Sequence, residues 1–283
     1  MSIVIGIDAG ISSTKIIGIE NGKRIMPPMV VKSNEASSAI SGVLGKYLLD
    51  TDGTSLDSIE HIMLTGVGSK DMTSSINSCP TTVVDEFLAN GLGARFDSGL
   101  DHIIVVSMGT GTSLVRVDGD DIRHIGGLGM GGGTLQGLAR LLLGTSNMDQ
   151  ITSKAYDGDA DKVNLLIEDI CQGELDHLTG DATASLFAKV MVNTPTDNDI
   201  AAGLIHMVLE TIGSAAVLSQ LNGGFKDYVL VGGLTVLDAC RKVFPMLEKL
   251  YGVHFHIPKY ASYCTALGAA LSYKYENGKL HVI

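Results

Sequence analysis

Two stretches of the chain repeat one pattern about one hundred residues apart, and no other feature restricts the possible folds as much. IGIDAGISSTKIIGIENGKRI, from Ile5, and VVSMGTGTSLVRVDGDDIRHI, from Val105, each read as strand, glycine-containing turn, strand, tight turn, strand. Solenoid units recur every ~20–50 residues, so a recurrence this long predicts two duplicated halves rather than a stack of short repeats. Asp97-Ser98-Gly99 has the composition of a loop, which puts the division at residues 1–97 and 98–283.

Around the repeated units, β-branched runs alternate with longer helical periodicities, the pattern of an α/β protein. Strands are predicted over Ile3–Asp8, Thr14–Glu20, Lys23–Val31 and Ile59–Thr65, with Asn21-Gly22 as a hairpin turn and a helix over Ala36–Leu49. The second half should open with strands His102–Ser107, Thr112–Asp118 and Asp121–Ile125 and then run mostly helical until a strand over Asp227–Gly232. Within the helical part, Ala201, Leu204, Ile205, Val208, Leu209, Ile212, Ala215 and Ala216 fall at helical spacing. Such a stripe packs inside a fold or across a two-fold axis, and His206 and Met207 beside it read as packing residues.

Composition narrows the partners. With 283 residues, 45% of them apolar, the chain can bury a full core, and its net charge of −11 without any basic run argues against nucleic acid. Cys79, Cys171, Cys240 and Cys264 are far apart and make no metal-ligand spacing with histidine. Free thiols, no signal-peptide pattern and no long apolar span together predict a cytoplasmic protein that does not engage membranes. Asp157, Asp159 and Asp161 alternate around Gly158, but the rest of a calcium loop is missing, so a solvated turn is expected.

The chemistry is carried by the glycine-rich turns. A turn with glycine and hydroxyl residues between two strands presents several backbone N–H groups to one anion. Asp8-Ala9-Gly10-Ile11-Ser12-Ser13-Thr14-Lys15 adds an acid suited to Mg²⁺ and a cation suited to a transferring phosphoryl group. The second turn, Gly109-Thr110-Gly111-Thr112-Ser113, offers amides and hydroxyls without an acid, because Ser107 stands where Asp8 stands in the first half. Two facing loops of this kind imply a nucleoside triphosphate between the halves. A third stretch, Gly126 to Thr134, runs into a helix over Leu135–Leu143, where close backbone approach and the helix dipole favour a phosphate or ribose. Gly232-Gly233, after a strand, reads as a further close-approach turn.

Five segments carry a family resemblance: GIDAGISSTKI from Gly6, DEFLANGLGA from Asp85, MGTGTSL from Met108, GGLGMGGGTLQGL from Gly126 and TGDATASLF from Thr179. The first and third resemble the acetate kinase, sugar kinase, heat-shock 70 and actin superfamily. The other three make the chain similar, over most of its length, to type II pantothenate kinases. The resemblance implies an α/β fold of duplicated actin-like (ribonuclease H-like) halves with a nucleotide cleft between them, and ATP-dependent phosphorylation of pantothenate with ATP and Mg²⁺ as cofactors. It implies nucleotide contacts from Asp8, Gly10, Ser12, Ser13, Thr14 and Lys15, from Thr110 and Gly111, from Gly131, Gly132, Gly133, Thr134 and Gln136, and from Gly233. Asp8 would hold the metal, Lys15 and Glu86 would be catalytic, and Glu86, Thr110 and Arg123 would meet the acceptor.

Glu86 matches the family's general-base position, with Asp85 as the adjacent rival. Relatives usually carry arginine seven residues before the triple glycine, where this chain has His124 preceded by Arg123. Either Arg123 takes over through a local shift or the acid is held differently. The family resemblance also tips the apolar helix toward a homodimer. Rival readings are an activator ATPase of acyl-CoA dehydratases, a sugar kinase of the repressor-related group and a nucleotide sensor. The first two would need close cysteines, which the chain lacks.

Overall fold

The computed structural model describes residues 2–22, 24–32, 36–51, 54–69, 75–171, 179–273, 275–276 and 279–280. The first half builds a mixed sheet from β1 (Ile3–Ala9), β2 (Ser13–Glu20), β3 (Arg24–Ile25), β4 (Met29–Lys32), β5 (Ile59–Thr65) and β6 (Thr81–Val83), with α1 (Ala36–Asp50) between β4 and β5. The order is β3-β2-β1-β5-β6, with β4 also on β2, and β1, β5 and β6 are parallel. The strand expected over Lys23–Val31 is two short strands, because Pro27 and Pro28 lack the N–H groups a ladder needs.

Beyond α2 (Glu86–Ser98), the second half repeats the meander as β7 (His102–Met108), β8 (Thr112–Asp118) and β9 (Asp121–Leu128). There follow α3 (Gly132–Leu143), α4 (Met148–Tyr156), β10 (Leu165–Leu166), α5 (Ile167–Ile170), β11 (Thr183–Ser185), α6 (Asp197–Leu218), β12 (Asp227–Val231), α7 (Cys240–Tyr251), β13 (His254–His256), α8 (Cys264–Ser272) and the short pair β14 (Tyr275–Glu276) and β15 (Lys279–Leu280). The second sheet runs β13-β12-β7-β8-β9. Residues 97–98, expected in a loop, are the last turn of α2, which stops at Gly99 in the left-handed conformation (φ 71°).

Alternation along the strands assigns the layers. Ile3, Ile5 and Ile7 face α1, whereas Val4, Ile17 and Met63 face α8. In the second sheet Ile104, Val106 and Leu230 face α3, α6 and α7, and Ile103, Val105 and Val231 face α2 and α8. The molecule is therefore layered as α1, first sheet, the α2–α8 pair, second sheet, outer helices. Seven of the eight residues in the α6 stripe, all but Ala215, are buried, and all of these but Ala201 belong to the second-sheet core. That helix is long and apolar enough to cross a membrane by composition, and it is a core helix here.

The middle layer is unusually close. A Cβ on Gly268 would lie 1.7 Å from the Ala89 carbonyl oxygen, and one on Gly93 would lie 2.2 Å from that of Cys264. Only glycine lets α2 and α8 cross at this separation, so the helix that begins at Glu86 is locked to the helix that lines the first sheet.

Candidate active site

Asp8 lies near the end of β1 and pairs in register with Lys15 of β2 and Thr65 of β5, so the three side chains share the α8 face. The Asp8 carboxylate lies 3.9 Å from the Lys15 ammonium, and both side chains are more than four-fifths buried. Burial raises the Asp8 carboxyl above its usual range, and the positive charge of Lys15 partly opposes this. Thr14 and Thr65 carry buried hydroxyls without a hydrogen-bond partner. Gly66 lets the chain pass so near Asp8 that a Cβ there would sit 2.8 Å from its Oδ1. The turn between β1 and β2 is closed by Gly10 N donating to Ser13 O at 3.1 Å, and Ile11 and Ser12 at its tip are exposed.

The second loop and the glycine run fold against each other. Gly132 N donates to Gly109 O at 2.8 Å and Gly133 N to Thr110 O at 2.9 Å. Thr112 Oγ1 donates to Met130 O at 2.8 Å, and a Cβ on Gly131 would lie 2.6 Å from Thr110 O. The run begins inside β9, which extends to Leu128, and α3 starts at Gly132 rather than at Leu135. Thr134 and Gln136 spend their side chains locally, on Gly129 O at 2.8 Å and Ser146 O at 3.0 Å. Gly232 (φ 95°) brings the turn after β12 against Met108, where a Cβ would be 2.5 Å from its carbonyl oxygen, whereas Gly233 borders open space. The close approach therefore belongs to Gly232.

Glu86 is half-buried at the first position of α2, one residue after the N-cap. Asp85 is that cap, accepting from Phe87 N at 3.0 Å and Leu88 N at 2.9 Å through one oxygen. One turn beyond Glu86, Asn90 is fully buried and accepts from Thr265 Oγ1 of α8 at 2.7 Å, while its Nδ2 has no partner. Nothing in the sequence marked Thr65 or Gly66, and Asn90 stood out only within the segment from Asp85, since each acts through a strand or helix far away in the chain.

A bulge follows His124 in β9. Leu114 of β8 pairs with Gly126 and Val115 pairs with His124, which leaves Ile125 unpaired. Gly126 absorbs the kink at φ 141°. His124 shares the α2 face and stacks on Phe87, ring centroids 3.9 Å apart and planes 14° apart. Arg123 lies on the opposite face, across from Arg116 and bound to Asp121 at 2.5 Å. His124, not Arg123, thus faces α2, against Phe87, the residue after Glu86.

The donor set suits a magnesium nucleotide. Asp8 and the orphan Thr65 hydroxyl are hard oxygen donors, Lys15 is the adjacent cation, and the glycines of the second loop and of the run leave backbone where a side chain would block a phosphate. Among the described residues no cluster of three or more histidine, cysteine or acidic groups forms a separate metal site.

Residues 100–245 match the profile of the Fumble family. A type II pantothenate kinase of Staphylococcus saprophyticus is 32% identical over 236 residues, 81% of this chain and 84% of the relative, and one of Staphylococcus aureus is 30% identical over 94% of this chain and 97% of the relative. Among solved structures, the activator of 2-hydroxyisocaproyl-CoA dehydratase from Clostridium difficile with bound ADPNP superposes at TM-score 0.64 with 18% identity, covering 95% of this chain and 92% of that one. A ROK family glucokinase from Streptomyces griseus in complex with glucose and AMPPNP superposes at 0.53 with 16% identity, covering 95% of this chain and 98% of the other. These structures establish the duplicated actin-like α/β fold, and the sequence relatives go further: the chain belongs to the type II pantothenate kinase family.

Proposed function

We propose that this chain transfers the terminal phosphoryl group of ATP to the primary hydroxyl of pantothenate, giving 4′-phosphopantothenate, the first step toward coenzyme A. The observation that carries the reading is that the first loop, with Asp8 and Lys15, and Glu86 at the head of α2 belong to elements packed on the same helix, α8, in a chain of this family. Bound ATP supplies the phosphoryl group, and Mg²⁺ at Asp8 screens its charge. Lys15 neutralises charge that develops as the phosphoryl moves. Glu86 holds the acceptor hydroxyl and takes its proton, a task the second loop cannot perform because Ser107 replaces an acid there. Gly10, Gly111, Gly131, Gly132 and Gly133 present no side chain and so let the phosphates approach the two loops, where the hydroxyls of Ser12, Ser13 and Thr110 meet them; the amides of Gly10, Gly132 and Gly133 hold the loops in shape through Ser13, Gly109 and Thr110. Thr14, Thr134, Gln136 and Gly233, included by the family resemblance, serve as support around them.

The same reading divides the halves at residues 97 and 98 and makes the working protein a cytoplasmic homodimer. The four unpaired cysteines support the compartment, and family membership supports the dimer. The deciding experiment is a coupled ADP-release assay with an acceptor panel. Pantothenate should stimulate ADP release and a hexose should not. Lys15→Ala should slow turnover by orders of magnitude. Release that no acceptor stimulates would replace the kinase reading with that of an ATPase.

A further inference from the structure

A nucleotide brings several negative charges to a chain whose own net charge is −11, so each cation that faces the cleft matters. Lys15 lies 3.9 Å from Asp8. Lys32 is a second cation on the same sheet face. It ends β4, which pairs with β2 so that Val30 stands opposite Lys15 and Lys32 opposite Ser13. Met29 and Val31 pack into the core under α1, and side chains alternate along a strand. Lys32 therefore leaves the sheet on the side of Ser13 and Lys15, at the margin of the first loop.

Its partner comes from the second half. Lys32 Nζ donates to Asp149 Oδ2 at 3.3 Å, and Asp149 is in the first turn of α4. The approach to that turn is tied back to the head of α3, where Gln136 Nε2 donates to Ser146 O at 3.0 Å. Helix α3 begins within the glycine run, and Gly132 and Gly133 are bonded to the second loop. The pair thus joins the margin of the first loop to the margin of the glycine run, the two surfaces that should flank the phosphates. Both side chains are largely in water, 82% and 79% accessible, and an exposed pair of this kind holds its partners weakly. A lysine ammonium on its flexible stem is free to change partner, and a chain of phosphates, with several charges on adjacent oxygens, attracts it more strongly than one solvated carboxylate does.

Resting on the reading that ATP lies between the two loops, we infer that Lys32 is a nucleotide-binding residue: before ATP enters, its ammonium rests on Asp149, and when ATP enters it exchanges that carboxylate for the terminal phosphates. Asp149 is then a competitor that lowers the affinity for ATP. A clasp between the halves would use the same two residues with the opposite sign for Asp149.

Dissociation constants for the β,γ-imido analogue of ATP and for AMP, measured by titration calorimetry with Mg²⁺ and no acceptor, test the exchange. Lys32→Gln should weaken the ATP analogue about tenfold and leave AMP within about twofold, and Lys32→Arg should keep most of the native affinity. Asp149→Asn should tighten the analogue about threefold where Lys32 is present and have almost no effect beside Lys32→Gln. Analogue affinity unchanged by Lys32→Gln, an equal loss for AMP, weakening by both single substitutions, or an Asp149→Asn effect of the same size in both backgrounds overturns the inference and leaves the kinase reading intact. A native chain that binds neither nucleotide overturns both.

Discussion

At the scale of single residues, two adjacent carboxylates on α2 have different duties. Asp85 spends one oxygen on two backbone amides of the first turn, while Glu86 sits a residue inside the helix with its side chain half-buried. Glu86→Gln keeps the shape and removes the base, so kcat should drop about 10²–10⁴-fold with ATP affinity within a few-fold. Asp85→Asn retains the cap and should be mild, and Asp85→Ala should cost about 1 kcal/mol of stability, read by urea unfolding. An inactive Asp85→Asn beside an active Glu86→Gln would reverse the two roles. The pair was legible as candidates in the sequence, but their division of labour was not, because a cap is defined by where the helix starts. Arg123 and His124 make the same point more sharply, since the pairing of His124 with Val115 and of Arg123 with Arg116 decides which of two neighbours faces α2.

Asp199 gives the residue scale a pH signature. Its carboxylate accepts from Thr196 N at 2.9 Å, from Thr196 Oγ1 at 2.7 Å and from Asp159 N at 3.0 Å. Those bonds, the Thr196 backbone donor first, hold it down at about 2 against burial, which opposes them. A carboxyl depressed by folding stabilises the native state above its unfolded value of ~3.9, and that contribution is lost as pH falls toward about 2. Unfolding free energies measured at pH 4.5 and 2.5 should converge between the native chain and Asp199→Asn at the lower pH. An equal gap at both would refute it. The turn at Asp157-Gly158-Asp159, which faintly resembles a calcium loop in sequence, closes this socket, with Gly158 pressed against Asn198 O.

Between elements, the decisive contact is α2 on α8. The sequence shows Gly91, Gly93 and Gly268 only as glycines within helical patterns, and no periodicity can say that two of them face carbonyls of the other helix. Gly268→Ala should destabilise by about 3 kcal/mol or more, because its new Cβ meets backbone that cannot yield. Gly42→Ala in α1, where nothing lies within 4 Å of a Cβ, should instead stabilise by about 0.5–1 kcal/mol. Opposite signs from one substitution would establish that the crossing, not helix propensity, sets the cost. Equal effects would show that α2 and α8 have room to separate. Thr265→Val tests the polar tie across the same crossing. It leaves the buried Asn90 carbonyl unmet and should cost about 1–3 kcal/mol.

For the whole molecule, the duplicated strand meanders were the most legible part, since both repeated stretches became three-stranded units on the two sheets. What the repeat could not convey was the layer between them, or which surfaces stay open. The apolar stripe of α6 offered a choice between core and two-fold interface, and the fold uses it as core. A homodimer must therefore be built elsewhere. Val190, Met191 and Val192 form the longest run of consecutive exposed large apolar residues among those described, with Met191 81% and Val192 86% accessible. Three such neighbours in water are unfavourable unless something covers them, and a second copy meeting the same patch satisfies the closed symmetry that most oligomers adopt. Light scattering at micromolar concentration should give about twice 29.7 kDa, and the double substitution of Met191 and Val192 by glutamate should return the mass to that of one chain by placing like charges across the axis. A native mass near 29.7 kDa would rule out the dimer. A double variant that stays dimeric would move the interface to another exposed pair, of which Leu141 and Leu142 on α3 are the next to test.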